Sequence, residues 1–341
     1  MRGNISRILD VIVVLGLITP ACVIRRSGPE GAGSDKVTVL VIPALSSAPL
    51  LIAADGGYLA AQGIDAELVK IDQSATALPA LTQGKLDVWG GTISLGILNG
   101  IARGARIRIV AGKGYIPAAG CVYSGLIARR ALVDSGRLTT PDTMRGLRIA
   151  AQPVNFERFY LEKLLDAGRL RTADVVLTNV PHAAEIGALE TGQVDLVATT
   201  EPWLGHAVQA GCGTVWMSAG AIIPEFQFGW LAFGPTLLDT RPDLGRRFMA
   251  AYLAAVRQYN EGKTDRNLDI LTRQTGLERD FLKHACWPAF RADGGIDAQS
   301  ILEFQSWGLR RGFLDRTLAV EDIVDSRFVD YAVGLEKASK H

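Results

Sequence analysis

The sequence predicts an α/β protein made of two similar lobes that the chain passes between twice, and three observations carry that expectation. One segment is used twice: Leu81-Thr-Gln-Gly84-Lys-Leu-Asp87-Val-Trp-Gly-Gly-Thr92 returns 108 residues later as Leu189-Glu-Thr-Gly192-Gln-Val-Asp195-Leu-Val-Ala-Thr-Thr200. At that offset Ala75/Ala183, Ala80/Ala188, Leu81/Leu189, Gly84/Gly192, Asp87/Asp195 and Thr92/Thr200 are identical. Around each copy, β-branched runs alternate with stretches of helical periodicity. From Arg246 onward the chain reads as helices without strand partners of their own. The repeated unit reads as a helix closed by a glycine in the left-handed cap position, an Asp turn, and a short apolar strand ending in hydroxyl and small residues. Ligands bind where strands end in open α/β sheets, so two such lobes face each other across a cleft.

Taken in order, Val37–Ile42 is a β-branched run suited to a buried parallel strand, followed by the turn cluster 43–49. Leu50–Gln62 has helical spacing up to Gly63, and Ala66–Ile71 is a second strand. Asp72-Gln-Ser74 stands where it can cap a helix over Ala75–Thr82. The strand Leu86–Trp89, the helix Ser94–Arg103 and the strand Ile107–Gly112 complete the first block. Cys121–Ala128 is extended in character, and Thr139-Thr-Pro-Asp142 is turn-rich. Leu147–Ala151 opens the second block, the helix Phe156–Ala167 follows with Asn155 as its expected cap, and Thr214–Met217 closes the block. A return crossing is expected around Phe226–Phe233. The helices 246–262, 267–275, 278–286, 297–311 and 320–338 are then expected to pack back on the first lobe.

With 341 residues, 48% of them apolar and 21% charged, the chain has enough material for two lobes with full cores. Thirty-six basic against 35 acidic residues leave a net charge of +1, which argues against a nucleic-acid surface and for a small molecule or another protein as partner. The N-terminus reads as a targeting segment: Arg2 and Arg7 are its basic region, and Val11–Ile18 is an apolar run too short to span a bilayer. It leads to Thr19-Pro-Ala-Cys22, which resembles a bacterial lipobox, so residues 1–22 are expected to be a lipoprotein signal with Cys22 as the lipidated residue. Residues 23–35, rich in Gly, Ser and charge, read as a flexible tether. Cys121, Cys212 and Cys286 then remain. They allow at most one disulfide, they form no metal pattern, and buried free thiols are the expected state.

Asp55-Gly-Gly-Tyr58-Leu-Ala-Ala-Gln-Gly63-Ile-Asp65, Ala80-Leu-Thr-Gln-Gly84-Lys-Leu-Asp87, Met144-Arg-Gly146-Leu-Arg-Ile149 and Glu201-Pro202-Trp203 occur in an order and spacing similar to those of the solute-binding proteins of ABC importers for sulfonates, nitrate, thiamine pyrimidine precursors and riboflavin. The resemblance covers roughly Val37 to Phe233. It implies a two-lobed periplasmic-binding-protein fold of type II, with two doubly wound α/β lobes on a two-segment hinge. Residues 36–125 and 228–341 are then lobe I, and 126–227 lobe II. It implies a non-enzymatic monomer, held to the extracytoplasmic face of the cell membrane by its lipid, that hands a small molecule to permease and ATPase subunits. No cofactor, metal or nucleic acid is expected.

The loops after strands of both lobes nominate the contacts. From the first lobe these are Ser46, Ser47, Asp72, Trp89, Thr92 and Tyr115; from the second, Asn155, Phe156, Glu201 and Trp203, with Phe228 at the hinge. Capping accounts equally well for Asn155, and core packing is the commoner fate of Trp89. Glu201 is the stronger case, since a carboxylate at a cleft edge needs a donor. These loops are rich in aromatic residues and offer only Lys113 and Arg158 as cations, which favours a flat heteroaromatic vitamin or precursor, riboflavin or a thiamine pyrimidine, over a sulfonate or nitrate-type anion. The other alternative is an enzyme related to the fungal pyrimidine synthases. The chain lacks their Cys cluster, and no P-loop, Gly-x-Ser-x-Gly or His-Glu-x-x-His motif occurs in it.

Overall fold

The computed structural model describes residues 34–71 and 74–339. The signal segment with Cys22, the tether up to Gly33, and Asp72 lie outside the described residues.

Two five-stranded sheets form the protein. The first contains β1 (Asp35–Val41), β2 (Ile64–Lys70), β3 (Val88–Gly90), β4 (Arg108–Gly112) and β10 (Trp230–Phe233), in the order β2-β1-β3-β10-β4. The second contains β5 (Ser124–Arg129), β6 (Arg148–Ala150), β7 (Val176–Thr178), β8 (Leu196–Thr200) and β9 (Gly213–Ser218), in the order β7-β6-β8-β5-β9. The two orders are the same, second-first-third-arriving-fourth, when β10 and β5, the strands that arrive from the other lobe, are left out of the count. In each sheet the first strands run parallel, β1 with β2 and β3, and β6 with β7 and β8. The strand that arrives from the other lobe runs antiparallel: β5 between β8 and β9, and β10 between β3 and β4. The chain therefore leaves the first sheet after Gly112, enters the second at Ser124, leaves it after Ser218 and returns at Trp230.

The local chemistry accounts for most element ends. Gly84 and Gly192 close the repeated helices at φ of 69° and 67°, a backbone that favours glycine. The expected helix 50–62 is instead two, Ala48–Asp55 and Tyr58–Ala61, because Gly57 turns left-handed at φ 83° and restarts the chain. Central strands are buried on both faces, as the run Val37 to Val41, apolar but for the half-buried Thr38, requires. The long helix Pro242–Asn260 lies across Ala48–Asp55 and the C-terminal helix Arg327–Ser339, so this part of the tail does return to the first lobe. The tail also reaches the second lobe. Phe304 and Trp307, on the helix Ala298–Arg310, pack edge-on against Phe159 of the helix Phe156–Ala167. Cys286 is joined to Cys121 of the first crossing by a disulfide. The expectation of free thiols thus holds only for Cys212, which is half-buried.

Candidate functional site

Because parallel strands end at a common edge, the loops after β1, β3, β6, β7 and β8 meet between the lobes. They enclose a small cavity of about 10 Å³. The first lobe contributes Ile42, Ala44 and Thr92, and the second contributes Gln152, Asn155, Glu157, His182, Thr200 and Trp203. The two threonines that end the repeated segment thus face the same space from opposite lobes. Beside it the lobes touch through backbone: Ser94 and Asn155 form an antiparallel bridge, and Leu95 N–H donates to the Val154 carbonyl at 3.4 Å. Val154 has φ 54°, a costly conformation for a β-branched residue, located at this contact.

The second lobe supplies the polar wall. His182 Nδ1 lies 2.8 Å from Glu185 Oε1, and the other Glu185 oxygen accepts from Thr199 Oγ1 at 2.5 Å. This fixes the imidazole plane, against which Trp203 stacks at 4.1 Å with only 17° between rings. Glu157 is the second residue of its helix, where the macrodipole favours an acid. Burial nevertheless pushes its carboxyl up, with His182 opposing. Asn155 makes no capping bond with its side chain, contrary to expectation; its Nδ2 donates to Gln152 Oε1 at 3.0 Å. The remaining amide atoms, Gln152 Nε2 and Asn155 Oδ1, and the Thr200 hydroxyl oxygen are buried without a hydrogen-bond partner among the described residues. Buried polar atoms in native proteins are nearly always paired, so a wall with three orphans is shaped for something else to complete it.

Behind the first-lobe wall lies a buried cation. Lys113 is 1% exposed, and its Nζ donates to the Gly90 carbonyl at 2.6 Å and to Ser46 Oγ at 3.4 Å. Burial pushes its pKa down to about 7. Lys113 does not line the cavity, and among the described residues no arginine or lysine does.

The structure distributes the nominated residues unevenly. It brings Thr92, Asn155 and Trp203 together at the cavity. Ser46 holds Lys113, and Ser47 Oγ accepts from Ile42 N–H, a turn bond. Trp89, Phe156 and Phe228 are 1% exposed and belong to the core, Phe228 stacking on Tyr123 and tilting against Phe156. Tyr115 pairs with Gln227 and Ala289 in isolated bridges and lies under the Arg291 guanidinium. Glu201 does not line the cavity. Its oxygens accept from Gly205 N–H at 3.0 Å and Cys286 N–H at 3.4 Å, at the base of a separate groove that includes Leu204, Val208 and Phe281. Sequence reasoning missed Gln152, Glu157, His182 and Thr200 as lining groups. Position 182 is the partner of Ser74 at the repeat offset, a signal that could have nominated it. Among the described residues no group of three or more His, Cys, Asp or Glu is placed to hold a metal ion.

Two α/β lobes with a polar cavity between them have the two-lobed architecture of periplasmic binding proteins. The chain belongs to the NMT1-like family, whose model matches residues 30–271. No curated protein matches it in sequence. Among solved structures, the ligand-binding component of an ABC-type import system from Staphylococcus aureus, with zinc bound, is similar with a TM-score of 0.74 at 18% identity, over 87% of this chain and 99% of that one. The alkanesulfonate-binding protein SsuA from Xanthomonas axonopodis pv. citri, bound to MOPS, gives 0.69 at 18%, over 86% and 99%. The desulfurization enzyme DSZB gives 0.63 at 17%, over 89% and 99%. At these identities the likeness is one of fold, and the fold carries both binding proteins and an enzyme.

Proposed function

We propose that this chain is the extracytoplasmic solute-binding lipoprotein of an ABC importer, anchored through Cys22, that closes on a small heteroaromatic vitamin or precursor and delivers it unaltered to the permease. The observation that carries the solute class is the composition of the cavity wall. It has a stacked Trp203–His182 face, two amides, two hydroxyls and a carboxylate, and among the described residues no lining lysine or arginine. Such a wall suits a flat ring with N–H groups and repels a sulfonate or nitrate. The cavity of about 10 Å³ has room for little more than one water, so in this reading the solute enters when the lobes part. Thr92, Asn155 and Trp203, with Gln152, Glu157, His182 and Thr200, are the contacts in this reading. Binding needs no chemistry: a ligand that touches both lobes favours the closed form by its differential affinity.

The test is a thermal-shift and calorimetric panel of 4-amino-2-methylpyrimidine, riboflavin, an alkanesulfonate and nitrate, with recovery of unchanged solute measured by mass spectrometry. A ligand present at a hundred times its Kd stabilises by about 2.7 kcal/mol, which a melting curve reads easily. Tight binding of the alkanesulfonate with none of the rings refutes the solute class. Conversion of the bound solute supports the enzyme alternative.

A further inference from the structure

Glu157 is 2% exposed and lines the cavity, and among the described residues the positive group acting on it is the His182 imidazole, which also pairs with Glu185, while no lysine or arginine does. The bland account is that an acid in the first turn serves the helix dipole. That explains the residue type but not its surroundings. Gln152 and Asn155, 5% and 6% exposed, bond to each other once and leave one amide N–H and one amide oxygen empty beside it. Exchanging the O and N assignments of both side chains leaves the same count, one donor and one acceptor, so the pattern does not depend on how the amides are oriented. The Trp203 ring, held flat on His182, adds an electron-rich face. The wall therefore offers a carboxylate, a further acceptor, a single amide donor and an aromatic surface.

We infer that the solute is a planar cation of amidine type, whose paired N–H groups meet the Glu157 carboxylate while its ring edge completes the Gln152–Asn155 pair. Two parallel N–H···O bonds to a carboxylate are among the stronger and most directional polar contacts, and a buried carboxylate is costly without such a partner. The inference rests on the reading that the interlobe cavity is the solute site, and goes beyond it in fixing the charge. Protonated amino-heterocycles belong to this class; neutral flavins and all anions fall outside it.

One ring carried in three charge states makes the test: benzamidine, benzamide and benzenesulfonate, titrated calorimetrically into the purified protein at neutral pH, with 4-amino-2-methylpyrimidine run alongside. Benzamidine should bind at least tenfold more tightly than benzamide, and benzenesulfonate should not bind. In Glu157→Gln, checked for folding by its melting curve, the ratio of benzamidine to benzamide affinity should fall to about one. The wild-type comparison needs no variant, so a poorly folded Glu157→Gln leaves the test intact. The ionisable groups facing Glu157 are His182 and Glu185 from the neighbouring turn and helix, Tyr160 from its own helix and Tyr123 from the crossing segment. Because the free carboxyl titrates high, amidine affinity should also fall as pH is lowered, and this slope should be absent in Glu157→Gln. Equal binding of amidine and amide overturns the inference while leaving a ring-binding cavity in place. Failure of benzamidine to bind at millimolar concentration overturns it as well. If an alkanesulfonate binds where no ring does, the underlying solute reading falls too.

Discussion

Asp87 and Asp195 do the same work in the two lobes. Asp87 accepts from Thr38 N–H through Oδ2 at 2.9 Å and returns its own N–H to the Thr38 carbonyl; Asp195 makes the same two bonds with Arg148. Each aspartate thus clips the end of the repeated helix to the first strand of its lobe, which is why the repeat keeps this residue. Asp195 carries more, because Arg148 and Arg129 also converge on it at 2.8 to 3.2 Å. Burial would raise its pKa, yet the Arg148 side chain and N–H, with Arg129, hold it below the ordinary 3.8. A depressed carboxyl contributes stability that is present above its unfolded pKa and lost as pH falls through the folded value. Asp195→Ala should therefore cost about 1–3 kcal/mol at pH 7 and flatten the acid limb of the stability curve below roughly pH 4; Asp87→Ala should cost less. Urea unfolding from pH 7 to pH 3 reads both, and equal costs for the two would show that the arginines add nothing. These aspartates could be read from the sequence because their role is local and duplicated. Glu157 could not, because a glutamate in a first turn looks the same whether it faces solvent or a cavity.

At the scale of elements, the tail joins what the two sheets leave apart. Cys121 sits in the first crossing and Cys286 just beyond the helix Arg279–His284, 165 residues apart in sequence. No spacing rule pairs cysteines at that distance, so the bond was invisible in the sequence while the strand and helix order, set by short-range periodicity and glycine caps, was plain. The bond also explains the position of Glu201, whose Oε1 accepts from the Cys286 N–H. Glu201 follows the β8 strand as expected, but the chain turns at Pro202 and carries its carboxylate to the tail instead of the cavity. A cross-link closing so long a loop should stabilise by about 2–4 kcal/mol. Reduction, or Cys121→Ser with Cys286→Ser, should lower the denaturant midpoint accordingly. Cys121 is solvent-exposed, so mild reductant suffices, and an unchanged midpoint after verified reduction would count against a structural role for the bond.

At the scale of the molecule, the two lobes are joined by a clamp away from the interlobe cavity. Glu162, 1% exposed on the second-lobe helix Phe156–Ala167, accepts from Trp307 Nε1 at 2.8 Å and pairs with Arg311 at 2.5 Å. Both partners belong to the tail helix and its end, and that helix packs so closely on the first lobe that a Cβ at Gly308 would meet Leu95 Cδ2 at 2.6 Å. Arg158 at 2.5 Å satisfies the second carboxylate oxygen, and Lys163 pairs with Glu303 nearby. The same helix thus starts at the cavity, with Glu157, and ends its first two turns at the clamp, so one element links the cavity to the lobe contact. Hydrogen bonds to a charged group contribute about 1.5–3 kcal/mol, and any part of this that exists only in the closed form adds to apparent solute affinity. Glu162→Gln should keep the indole bond and weaken the arginine pair, lowering affinity for whichever panel ligand binds about three- to thirtyfold, while Trp307→Phe removes the indole bond alone. Small-angle scattering should show a larger radius for the unliganded variants than for the unliganded parent, with the difference shrinking at saturating ligand. Unchanged affinity together with an unchanged radius in both variants would mean that the lobes are held shut by the crossing segments and the disulfide alone, and that Glu162 serves only to pack its own helix.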